Sequence, residues 1–146
     1  MAKKPSEMAA VVATIDPASL TANTYVSDWV DASQFEQLMA VLVLGAISAG
    51  GTVDAKLRMS AAANGSNPAD VPGKALTQLT QAGTDSNKQA ILQVRGDELP
   101  GDYRYVALSV TTATAAALGS AVILGFNPTY GPASDFDLAS VDEIVG

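Results

Sequence analysis

The chain has no cysteine and no histidine among its 146 residues. That double absence removes disulfides, thiolate and imidazole metal sites, cysteine nucleophiles and histidine-based proton transfer at once. Tryptophan occurs once and aromatic residues make up only 5%, which leaves few platforms for stacking a sugar or a base. Charge is scarce as well: 16% of residues are charged, against roughly 25% in an average globular chain. Much of the surface must therefore be neutral.

The charges that exist lean to one sign, 8 basic against 15 acidic for a net charge of −7. A field of that sign repels phosphate backbones and anionic lipid, so neither nucleic acid nor a membrane is expected as a partner. Long apolar runs are missing too. The longest, Leu38 to Ile47, is about half of the roughly 20 residues that a helix needs to cross a bilayer. Lys3 and Lys4 are followed by Pro5, Ser6 and Glu7, where a signal peptide would place its apolar region, so secretion is not expected.

What is present is the pattern of an all-β protein. Val53, Ala55, Leu57 and Met59 alternate with Asp54, Lys56, Arg58 and Ser60, the period of a strand with one dry face. Val106, Leu108 and Val110 repeat that spacing within Tyr103 to Thr111, and Ala90, Leu92 and Val94 do so within Lys88 to Arg95, where Ile91 suggests cover on both sides. Gln37 to Ile47, ended by the Gly50 and Gly51 turn, is apolar enough for a central strand covered on both faces. Thr24 to Asp31 is rich in β-formers, and Ser120 to Phe126 follows an ambiguous Ala-rich stretch from Thr112. Asn64 to Gly73 reads as a long polar loop before a weaker strand at Lys74 to Thr80.

Short strands between Gly, Pro and Asn loops predict an antiparallel β-sandwich, jelly-roll-like, over residues 21–127. Residues 1–20 predict an N-terminal arm, because Pro5 and the Asp16, Pro17 pair interrupt an Ala/Val stretch. Residues 128–146 predict an extended tail with Phe136, Leu138, Val141, Ile144 and Val145 as docking side chains. Burying those five does not offset ordering the whole tail backbone, so either the tail pairs with a sheet edge or only a short part orders.

No motif assembles an active site, and no catalytic residue, cofactor or structural metal is expected. Arg95, Gly96 and Asp97 spell an adhesion tripeptide, but they also spell a strand end followed by a turn. Asp28 with Asp31, and Asp135 with Asp137, could take a hard cation adventitiously, without the Gly and terminal Glu of a calcium loop. Tyr103, Arg104 and Tyr105 are better suited to packing than to stacking bases in an acidic chain.

The run Tyr25, Val26, Ser27, Asp28, Trp29, Val30, Asp31 with Phe35, the strand at Leu57 to Met59, the run Asp102 to Val106 and the ending Tyr130 to Glu143 together resemble small virion proteins of tailed bacteriophages that decorate or cement the head. The resemblance covers residues 21–146. It implies a non-enzymatic protein, made in the host cytoplasm and carried on the capsid exterior, with the major capsid protein and further copies of itself, as dimer or trimer, for partners. Tyr130, Phe136, Leu138, Val141, Ile144 and Val145 are then the expected partner-binding anchors. Two alternatives are another virion component, such as a head-tail joining, tail or spike-base subunit, and a host-surface binding module using the Arg95 to Asp97 turn or the Asn64 to Pro72 loop.

Overall fold

The computed structural model describes residues 2–133, 137 and 139–146. After a single helical turn, α1 (Pro5–Met8), ten strands follow: β1 (Ala9–Leu20), β2 (Asn23–Val26), β3 (Val30–Asp31), β4 (Phe35–Ile47), β5 (Thr52–Ser60), β6 (Ala69–Ala75), β7 (Leu79–Thr80), β8 (Gln89–Arg95), β9 (Tyr105–Ala113) and β10 (Ala117–Pro128). One sheet has the order β1-β10-β4-β8 and the other β2-β9-β5-β6, with β3 also on β9 and β7 also on β5. All pairings are antiparallel. Along the chain the strands repeatedly cross from one sheet to the other, which is the double-sheet arrangement of a jelly roll. The expected fold class is therefore observed.

Period-two alternation explains the core. Leu38, Ala40, Leu42 and Leu44 of β4 and Ile123 of β10 point inward from the first sheet, and Val53, Leu57, Val106, Leu108 and Val110 from the second. All are buried, and they merge into one apolar layer between the sheets. The chain reverses from β4 to β5 through Gly50, whose φ of +77° is open to glycine, and the Gly51 N–H closes the turn onto the Ser48 carbonyl at 2.8 Å.

Four strand readings need correction. Residues 9–20, expected as an arm, form a twelve-residue strand whose Ala10, Ala13, Ile15 and Leu20 belong to the interior. Its register with β10 slips between Val11 and Ala13 and again between Ile15 and Ala18. Each slip adds a residue, so the period of two is lost from the sequence, and the second absorbs Pro17 on an edge strand, where a missing N–H costs nothing. Residues 69–73, expected as loop, belong to the edge strand β6, which tolerates Pro72 and Gly73 for the same reason. The remaining two concern cover. β4 is central, but among the described residues nothing overlies its outer side. β8 is an edge strand with Ile91 58% exposed, not a strand covered on both faces.

Candidate interaction surfaces

The two outer faces of the sandwich differ in chemistry. On the β2-β9-β5-β6 sheet, the outward positions of β5 are Asp54, Lys56 and Arg58, and each has a partner. Gln78 donates to Asp54 at 2.8 Å, while Lys56 and Arg58 hold Asp70 at 2.8 and 3.0 Å. Thr24 and Thr111 share a hydrogen bond across β2 and β9 at 2.9 Å. This is a solvated face whose charges are internally neutralised.

The outer face of the β1-β10-β4-β8 sheet is uncharged at its centre and mostly apolar. The strand register sets Val11, Leu124, Met39 and Gln93 in one row, Thr14, Val122, Val41 and Ile91 in the next, and Ser120, Val43 and Gln89 in a third. None of these residues carries a charge. Ile91 is 58% exposed, Leu118 50% and Val43 39%. Leu118 leans over Gly45, where a Cβ would come within 3.0 Å of it. Together they border a shallow depression of ≈ 370 Å³ with Pro17, Ala18 and Ser120.

The C-terminal segment runs beside β1. The Ala133 N–H donates to the Glu7 carbonyl at 3.0 Å, the Asp137 N–H donates to the Val11 carbonyl at 2.8 Å, and the Thr14 and Ser140 hydroxyls meet at 2.9 Å. Backbone bonding to a sheet edge, one of the two outcomes open from sequence, is thus present. Ala133 itself is buried in the core cluster. Of the expected anchors, Tyr130, Ile144 and Val145 are exposed to 81%, 50% and 86%, while Val141 is half-buried. Phe136 and Leu138 lie outside the described residues.

The acidic pairs are rearranged. Asp31 is engaged by Arg104 and by the Ser33 hydroxyl and N–H, which holds its carboxyl at about 2, first through the Arg104 hydrogen bonds. Asp28 faces Asp137 instead. Burial raises its pKa first, and the Asp137 carboxyl beside it adds to the rise. Asp135 is outside the described residues. Among the described residues, no group of three or more acidic side chains is placed to hold a metal ion. No sequence signal links Asp28 to Asp137, since only the fold brings the tail past the β2–β3 loop.

Arg95 ends β8, and Gly96–Glu98 form a 3-10 turn in which Arg95 pairs with Asp97 at 3.1 Å. The two charges of the tripeptide therefore engage each other. Nearby, Gln37, Met39, Phe126, Lys74 and Glu98 border a cavity of ≈ 560 Å³, wide and open to solvent, whose Lys74 and Glu98 are paired at 3.2 Å. Tyr105 stacks under the Arg104 guanidinium at 5.7 Å. Trp29 is half-buried and lies against Gly65 of the β5–β6 loop.

No protein-family model matches the chain, and no curated protein matches it. Among solved structures it is similar to a chain of the infectious bursal disease virus Gt strain, with a TM-score of 0.44 and 14% identity over 85% of this chain and 33% of that one. A chain of the cowpea mosaic virus top component, naturally occurring empty particles, gives a TM-score of 0.39 and 12% identity over 92% and 93%. A chain of the bursal disease virus Gx strain gives 0.37 and 13% over 85% and 34%. The chain spans about a third of the length of the two bursal disease virus chains. The jelly-roll assignment stands on the strand order.

Proposed function

We propose that this protein is a non-enzymatic structural component of a virion, one that binds the outer lattice of the major capsid protein and decorates or cements a tailed-phage head. The observation that carries the reading is the C-terminal segment: its backbone is held at the β1 edge while Tyr130, Ile144 and Val145 turn their side chains to solvent. Apolar side chains on a tethered segment are available to a neighbouring subunit without unfolding the body that presents them. Tyr130, Phe136, Leu138, Val141, Ile144 and Val145 are the proposed anchors.

Other features fit that role. The jelly-roll body is a fold that viral capsid domains share with lectins and cupins, so the fold permits the role without selecting it. The sequence resemblance over residues 21–146 selects it among those uses. A weak contact per subunit suffices on a lattice, because a subunit with two tethered contacts gains occupancy through effective concentration. The net charge of −7 suits a location away from packaged nucleic acid.

The test is co-sedimentation with heads that lack this protein. A chain ending at Val141, or one carrying Ile144→Asp and Val145→Asp, should keep its β-sheet circular dichroism and lose occupancy on heads. Full occupancy by a correctly folded variant would contradict the reading.

A further inference from the structure

The tail meets the outer face of the β1-β10-β4-β8 sheet at its β1 margin, where the Thr14 and Ser140 hydroxyls lie 2.9 Å apart, and the chemistry of the β10, β4 and β8 part of the face narrows what can cover it. We propose that it is a self-association surface, on which a second copy of the chain packs outer face to outer face across a two-fold axis. The proposal deepens the virion reading by naming one partner of the body, and rests on that reading for its setting on the particle.

Three observations select a second copy. The first is size. β4 has 13 residues, β1 and β10 have 12 each and β8 has 7. At ~3.3 Å per residue and ~4.8 Å between strands, the face covers about 700 Å². A specific interface takes ~800 Å² from each partner.

The second is charge. In a two-fold contact the same patch meets itself, so any charge at its centre would face its own kind. The whole chain carries −7, yet the three central rows carry none. Asp16, beyond Thr14 on β1, and Arg95, beyond Gln93 on β8, lie at opposite ends of the face and have opposite signs. Arg95 is already paired with Asp97 at 3.1 Å, so charge is confined to the margins of the face and is internally neutralised at its β8 end.

The third is relief. Ile91 stands proud on the edge strand, 58% exposed, and the depression walled by Pro17, Ala18, Val43, Gly45, Leu118 and Ser120 lies on the far side of the same face. A two-fold axis seats the Ile91 of each copy in the depression of the other. Glycine at position 45 keeps that depression open, because Leu118 already occupies the space beside it.

Sedimentation equilibrium of the full chain at concentrations on the order of 10–100 μM is the test. The expected mass is twice the 14.8 kDa of the chain. Ile91→Asp, at an exposed edge position that leaves the core intact, should weaken the dimer by about 100-fold or more, with unchanged circular dichroism. Thr24→Asp on the opposite face should leave it intact. A monomeric or trimeric wild-type chain, or an Ile91→Asp variant that stays dimeric, overturns the proposal. If a monomeric wild-type chain binds heads and Ile91→Asp does not, the face belongs to the shell protein, and the second-copy assignment fails while the virion reading survives. A dimer that never binds heads has the reverse meaning.

Discussion

Arg104 grips Asp31 with two parallel hydrogen bonds, Nε to Oδ1 at 2.8 Å and Nη2 to Oδ2 at 2.6 Å. The pair staples β3 to the start of β9, where Asp31 also sits opposite Tyr105 in the ladder. A bidentate fork of this kind is the strong form of an ion pair.

Its consequence is a pH dependence of known sign. The Asp31 carboxyl sits at about 2 in the folded chain, below its ordinary value near 3.9. Its contribution is complete above pH 4 and is lost as pH falls through about 2. Arg104 is half in solvent, so screening limits the contribution to about 1 kcal/mol. Asp31→Asn should lower stability by that amount at pH 7, by urea denaturation, and flatten the acid limb between pH 4 and pH 2.

Asp28 and Asp137 give the opposite sign. Burial and the neighbouring Asp137 charge raise the Asp28 carboxyl, and Asp137 Oδ2 is buried without a hydrogen-bond partner among the described residues. A raised carboxyl opposes folding while both groups are ionised, and the penalty fades as pH falls through its folded value. Asp137→Asn removes one charge and supplies an N–H donor. It should stabilise the chain at pH 7 by about 0.5 kcal/mol, with slower amide exchange in the tail. A loss of stability would contradict this account.

Gly65 and Trp29 form a contact that no side chain at position 65 can share. Gly65 has φ +73°, and a Cβ there would fall 2.0 Å from Trp29 Nε1. Gly65→Ala should therefore cost about 2 kcal/mol through backbone strain and displacement of the ring. Because Trp29 is the only tryptophan, its emission should shift red in the same variant. Unchanged emission would mean that the loop does not pack on the ring.

How much of this was legible depended on whether burial left an alternating trace. β5 was plain because it has one face in the core and polar partners on the other, as Lys56 and Arg58 have in Asp70, and β9 showed the same spacing in Val106, Leu108 and Val110 although Ala107 and Ser109 between them are buried too. β1 was hidden because two bulges break its alternation and Asp16, Pro17 imitate a chain break. β6 was hidden by Pro72 and Gly73, which an edge strand accepts. β4 carries a true signal with a different meaning from cover on both faces. Its continuous apolar run means that both faces are apolar, and Met39, Val41 and Val43 form an outer surface with no cover among the described residues. Bonding of the tail backbone to a sheet edge was one of the two outcomes open in the sequence. The meeting of Asp28 with Asp137 was not legible there, because it depends on which edge the tail follows.

The most direct test of the central claim is an image reconstruction of the particle at a resolution that traces this chain. The account predicts one subunit at each equivalent outer-lattice position, with Tyr130, Ile144 and Val145 against the major capsid protein. Its absence from the particle, or its presence only in a few copies at one vertex, would contradict the account.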